Sequence, residues 1–310
     1  MKKIFLILLF IILLLCLVAY KLAHQPIPKS APPPADYTTT TIPSQFSHDN
    51  IEHLDNLKLE EEITQLSNKD STHYSVFVAY PDKNREPYIY QSSPMCSASM
   101  IKVFILASLM ENIQNGKISL DDYMTIHTAD KVGGAGILVG YGSGTNLPIR
   151  QIAKLMITES DNTATNMLID LLGMDTINNY MIQNGYTDSK LQRKMMDFKA
   201  INEGKENYTS VTDLGNFFLK LYHHECINYE LDELMLKYLK EQTDTECFPT
   251  ALPYATIAHK TGELTGIYDD GGIIYTTDKN IVLVIMSDEY STRNNAIHIM
   301  QEMAKCVVNN

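Results

Sequence analysis

One segment limits the architectures open to this chain more than any other: Met100-Ile101-Lys102-Val103-Phe104-Ile105-Leu106-Ala107-Ser108-Leu109-Met110. Wound as a helix, it is apolar on nearly every side and has no face to offer water. Such a helix belongs at the centre of a domain, wrapped by other elements. Ser97 is the expected N-cap and Gly116 the expected stop, which gives a helix over roughly 98–114. Ser99 and Lys102 are three residues apart and share one face at its start. A lysine there is costly to bury unless something pairs or uses it. A hydroxyl beside a desolvated amine, at the positive end of a helix, is how a serine becomes a nucleophile. The plainer reading of the same residues is a capping serine and a lysine that snorkels to water.

What wraps this helix is legible in coarse form. Strand patterns stand near the two ends of the chain, at 74–80 and 87–90, then at 255–260, 272–276 and 281–286. Amphipathic helices over about 50–68 and 291–306 lie outside them. From about 98 to 245 the pattern is helical. One helix enters at Pro148 and carries Ile152, Leu155 and Met156; a polar corner, Ser160-Asp161-Asn162, supplies an Asx cap; a second helix runs to Gly173. More helices are expected at 175–184, 211–223 and 229–242. The fold class is therefore α+β, an antiparallel sheet flanked by terminal helices with an inserted all-helical domain. The α/β part takes 49–93 and 250–310, and the helical part takes 94–249.

Upstream of the body, Met1-Lys2-Lys3 precedes an apolar run over 4–20, whose length falls between a signal h-region and a membrane span. The two lysines predict an inside N-terminus and an outside body. Lys21-Leu22-Ala23 makes a poor cleavage site, and Leu15 stands before Cys16 where a lipoprotein site needs a small residue. Residues 1–21 are thus expected to be an anchor rather than a cleaved signal, and 22–48 a Pro/Thr-rich spacer. Either way the catalytic body, 49–310, is extracytoplasmic. A formal net charge of −12 argues against nucleic acid as a partner. Of the cysteines downstream, Cys96, Cys226, Cys247 and Cys306, the pair Cys226 and Cys247 flanks a helical segment and either bridges or stays free. No pair has metal-ligand spacing, and no cofactor or metal is expected.

Three short motifs fall in order: Ser99-Met100-Ile101-Lys102, then Ser160-Asp161-Asn162, then Lys260-Thr261-Gly262. Each alone is weak, since a helix cap explains the second and a strand-end turn the third. Together the chain resembles the class A β-lactamase and penicillin-binding serine hydrolase superfamily over about residues 50–308. The resemblance implies that Ser99 attacks a carbonyl and carries the acyl group, with Lys102 shuttling its proton. It implies that Ser160 relays that proton to the leaving nitrogen, while Asn162 hydrogen-bonds the substrate's side-chain amide. Lys260 and Thr261 would attract the substrate carboxylate, and Gly262 would let a substrate lie close to the strand. The backbone amides of Ser99 and Glu263 would form the oxyanion hole. The substrate would be a β-lactam or a cell-wall peptide, and the enzyme a monomer.

The same resemblance calls for a deacylating glutamate, and the spacing leads instead to Met195 or Met196, in Leu191-Gln192-Arg193-Lys194-Met195-Met196-Asp197-Phe198. Asp197 is the nearest carboxylate and the candidate base, or else a loop salt-bridge partner of Arg193 or Lys194. Asp270 stands where many class A enzymes place a carboxylate-binding arginine. Three readings follow: a β-lactamase-like hydrolase, a penicillin-binding peptidase or esterase that releases β-lactams slowly, and a tethered binding protein without turnover.

Overall fold

The computed structural model describes residues 57–310. The anchor and spacer expected at 1–21 and 22–48, and the first residues of the helix expected from 50, lie outside the described residues. Among those described, no helix is long and apolar enough to cross a membrane.

The strands form one five-stranded antiparallel sheet from both ends of the described chain. In chain order these are β1 (His73–Ala79), β2 (Tyr88–Tyr90), β7 (Thr256–Leu264), β8 (Ile267–Tyr275) and β9 (Asn280–Asp288), arranged β2-β1-β9-β8-β7. Two small ribbons account for the rest: β3 (Met95–Cys96) pairs with β6 (Tyr208–Thr209), and β4 (Tyr123–Thr125) with β5 (Asn146–Pro148). Alternate side chains of the sheet feed two cores, because successive residues in a strand face opposite sides. Val76, Val78, Leu283 and Ile285 pack with Leu59, Ile63, Met300 and Met303 of the terminal helices. Phe77, Val282, Val284 and Met286 pack instead with the helical part. The terminal helices, Leu57–Ser67 and Arg293–Asn309, cover the first face.

At the centre of the second core lies the apolar helix, Lys102–Gln114, with ten of its thirteen residues buried. It ends as the sequence suggests. Gly116 adopts φ +67°, its amide donates to Ile113 O, and the Lys117 amide donates to Asn112 O, the paired bonds of a Schellman cap. Its start differs. Residues Ala98–Ile101 form a 3₁₀ turn, and Ser97 has helical dihedrals and makes no side-chain cap. The stretch expected to be helical also opens between Lys117 and Leu147, where loops and the β4–β5 ribbon replace helix. All four described cysteines are free, so Cys226 and Cys247 do not pair. Cys247 is wholly buried at the head of the short helix Phe248–Ala251, while Cys226 Sγ approaches Phe217 O at 3.7 Å.

Candidate active site

The 3₁₀ turn presents Ser99, half-buried, one turn before Lys102 at the start of the core helix. Lys102 is wholly buried. Its ammonium has three donors, and three acceptors take them: Ser160 O at 2.6 Å, Ser160 Oγ at 3.1 Å and Asn162 Oδ1 at 2.9 Å. Burial, with the nearby Lys260 charge, holds its pKa well below the usual lysine range. The second motif sits in the corner between the helices Ile149–Thr158 and Asn162–Leu172. Ser160 occupies the left-handed region at φ +50°, a strained geometry that turns its hydroxyl toward both lysines. Asp161 is the hub of that corner. Its carboxylate caps the helix at Ala164 N (2.8 Å) and accepts from Ile137 N and Leu138 N, both at 2.7 Å, pinning the loop that forms one wall.

Lys260 reaches the same point from β7. Its Nζ donates to Ser160 Oγ at 3.0 Å and to Thr261 O at 2.7 Å. Burial lowers its pKa to about 8, opposed by the charges of Asp244 and Asp270. Ser160 Oγ therefore accepts from both lysines, which leaves its own O–H to donate elsewhere. Thr261 is buried beside it on β7. Asn162 keeps one amide N–H unused, since the other donates to Gly133 O at 3.1 Å. At Gly262 an added Cβ would stand 2.9 Å from Asp269 Oδ2, 3.1 Å from Met100 Cγ and 3.2 Å from Ala98 Cβ. The glycine is thus required by the packing of the Ser99 turn onto β7, whatever lies on the open side.

Of the motif residues, Ser99 and Asn162 line a cavity of about 210 Å³, together with Arg193, Met195, Met196, Phe198, Glu263 and Leu264 among others. A larger groove of about 650 Å³, against the helix Tyr229–Lys240, holds none of the motif residues. The loop carrying Met195 is closed at its base. Arg193, 5% exposed, donates from Nε to Glu206 Oε1 at 2.8 Å, and Asn207 Oδ1 accepts from Gln192 N and Arg193 N. Asn166 then clamps the Met195 backbone with reciprocal bonds, Met195 N to Oδ1 at 2.8 Å and Nδ2 to Met195 O at 3.0 Å. Lys194 pairs with Asp170 rather than with Asp197. Asp197, the sequence's candidate base, instead caps the helix Phe198–Asn202 by accepting from Ala200 N at 3.0 Å. Its carboxylate is absent from the described cavity lining, where the methionines stand.

A family model described as the beta-lactamase enzyme family matches residues 58–310. The chain belongs to that family. It is a serine hydrolase of β-lactamase type, consistent with Ser99 standing one turn before Lys102 and with Lys102 and Lys260 meeting at Ser160 Oγ. The extended-spectrum beta-lactamase PER-1 of Pseudomonas aeruginosa is 25% identical over 259 residues, 77% of this chain and 83% of PER-1. Beta-lactamase VEB-1 of the same organism is 23% identical over 227 residues, 68% of this chain and 76% of VEB-1. Among solved structures, a beta-lactamase from Sphaerobacter thermophilus superposes with a TM-score of 0.77 at 24% identity, covering 83% of this chain and 97% of that one. PBP-A superposes with 0.76 at 24% identity, covering 83% and 96%. The two structures bear out the α+β fold.

Some site residues escaped the sequence. Arg293, at the head of the C-terminal helix, grips Glu263 at 2.7 and 2.9 Å and Glu246 at 2.6 Å beside the cavity mouth. Asp270, at the place where an arginine was expected, is wholly buried and takes bonds from His259 Nδ1 at 2.7 Å and Phe248 N at 3.0 Å. No local pattern announces Arg293, or the bonds that Asp270, already singled out by its position, makes. The clamp on Met195 had only one signal, the Asn166 that follows Ser160-Asp161-Asn162.

Proposed function

We propose that the protein opens β-lactams by forming an acyl-enzyme on Ser99 and releases the acyl group slowly. The observation that carries this reading is Ser160 Oγ, 3.1 Å from Lys102 Nζ and 3.0 Å from Lys260 Nζ, beside a cavity floored by Met195 and Met196. Burial and the Lys260 charge lower the Lys102 pKa, which eases loss of a proton from Nζ; in its neutral form the amine has a lone pair and takes the Ser99 proton as Oγ attacks the lactam carbonyl. Ser160 passes its hydroxyl proton to the leaving nitrogen and takes one back from Lys102 Nζ across their 3.1 Å bond. The amides of Ser99 and Glu263 receive the developing oxyanion, and Lys260 with Thr261 draws the substrate carboxylate. Release of the acyl group needs an activated water, and a thioether is only a weak acceptor and does not deprotonate one.

The methionine floor also favours a second reading, a penicillin-binding peptidase or esterase whose natural substrate is a cell-wall peptide and for which β-lactams are traps. A mutant of PBP-A has been solved as an acyl-enzyme complex with penicillin G, which lends that reading an example of the fold in an acylated state. The apolar run at 4–20, after two lysines, supports an extracytoplasmic, membrane-tethered body. One time course tests the proposal: mix the full chain with a chromogenic β-lactam and follow colour and protein mass together. One equivalent of colour with a persistent adduct is expected. Fast steady turnover would support a β-lactamase with another base, and neither colour nor adduct would defeat both readings.

A further inference from the structure

Asp269 lies at the joint between the Ser99 turn and the sheet and takes no part in the chemistry above. It is fully buried on β8, directly across from Gly262 of β7. Its Oδ2 shares one small space with Ala98 and Met100, the residues on either side of Ser99, because all three border the place a Gly262 Cβ would fill. Oδ1 accepts from Ser287 N at 3.1 Å, just past the Asp270–Ile285 pair where the β8–β9 ladder ends. Oδ2 has no hydrogen-bond partner among the described residues. An ionised carboxylate there would be a buried charge with an orphan oxygen, which is costly.

Among the described residues, no cation answers it. Lys260, on the same face of β7, gives its bonds to Ser160 and Thr261. The charges that act on it are those of Asp288, which pairs with His73, and Asp270, which is held by His259. On the side of the turn the titratable neighbour is the Cys96 thiol. Burial above all, and then these two like charges, raise the Asp269 pKa well above the carboxylate range against the pull of the Ser287 amide. Ala98, which borders the same space, sits at φ +40°, a strained geometry that persists only where the surroundings enforce it.

We propose that Asp269 is a positioning residue that works as the neutral acid, wedging the Ser99 turn against β7 and so fixing the spacing of the Ser99 and Glu263 amides. The proposal rests on acyl transfer at Ser99 for its catalytic consequence, but not for the protonation itself. If the acid ionised, a charge would open between turn and strand and the amide pair would lose its register.

The test compares Asp269→Ala with Asp269→Asn in the full chain, reading the rate of acylation by benzylpenicillin and the pH dependence of unfolding. Alanine removes the wedge and strands the Ser287 amide, so acylation should fall about tenfold or more. Asparagine keeps the shape without a charge and should restore the rate to within about threefold of wild type. Because the folded state holds a proton that the unfolded aspartate gives up, wild-type stability falls with pH above the unfolded carboxylate's pKa. Asp269→Asn should remove that slope, up to about tenfold in the unfolding constant per pH unit. The proposal is overturned if asparagine is as damaging as alanine, if alanine leaves acylation intact, or if the asparagine variant keeps the wild-type slope. Should alanine fail to fold, the asparagine slope still decides. Absence of acylation in the wild type would sink the Ser99 reading while leaving the slope measurement to decide the protonation.

Discussion

Replacing Lys260 with methionine should stabilise the protein while ending its activity. Lys260 is wholly buried, and burial brings its pKa from the ordinary 10.5 to about 8. That displacement corresponds to roughly 3 kcal/mol of unfavourable burial of the charged form. Between pH 8 and 10.5 the unfolded lysine holds its proton more tightly than the folded one, so this group's contribution makes stability rise with pH in that window. Below pH 8 the full penalty is present. Lys260→Met removes it but also loses the bonds to Ser160 Oγ and Thr261 O, worth about 1 kcal/mol each. A net gain of about 1 kcal/mol at pH 7 is the expectation, from urea unfolding of both proteins. The difference should reverse by about pH 10, as the wild-type lysine sheds its charge without penalty. Comparing the two proteins cancels the buried tyrosines, such as Tyr74 and Tyr88 with pKa values raised to about 12, which act in the opposite sense. A variant less stable at pH 7, with a difference that does not change from pH 7 to 10, would refute the reasoning.

Installing a carboxylate where the loop offers thioethers is the complementary test. Met195→Glu should shorten the lifetime of the acyl adduct by at least about tenfold while acylation changes little, since a placed general base contributes about 10²–10⁴; an unchanged lifetime with intact acylation would contradict it. Arg193→Ala leaves Glu206 without its partner and unhooks the base of the loop, so unfolding experiments should show a loss of about 3 kcal/mol. A loss under about 0.5 kcal/mol would mean the pair is not what holds the loop. Asp197→Ala should cost about 1 kcal/mol through the lost cap and leave the adduct lifetime unchanged; a longer-lived adduct would return Asp197 to the role of base.

How far the sequence speaks for this structure depends on how local each cause is. The core helix was legible because seven of its ten buried residues are apolar and answer to burial alone, and its Gly116 stop because a left-handed cap favours glycine. The strands were found where apolar runs are long, yet β7 extends well past the expected 260 and β8 begins before 272, taking in Gly262, Asp269 and Asp270. Those residues have poor strand propensity and are strand only because the Ser99 turn and β9 pack on them. Likewise, the segment from 117 to 147 is shaped by Asp161 holding Ile137 and Leu138 from a distance, so no periodicity reveals it. The site residues were legible as three motifs in order. Their partners were not: Arg293 meets Glu263 across 30 residues, and Asp269 borders the same space as the Ser99 turn from the far end of the chain.

The account turns on Ser99, and the most direct measurement is the mass of the full chain after brief exposure to benzylpenicillin, wild type beside Ser99→Ala. The wild type should gain the mass of one intact penicillin, mapped by peptide digestion to the segment containing Ser99 and persisting for many minutes, while the alanine variant gains none. A wild type that stays unlabelled, or an alanine variant labelled equally, would contradict acylation at Ser99.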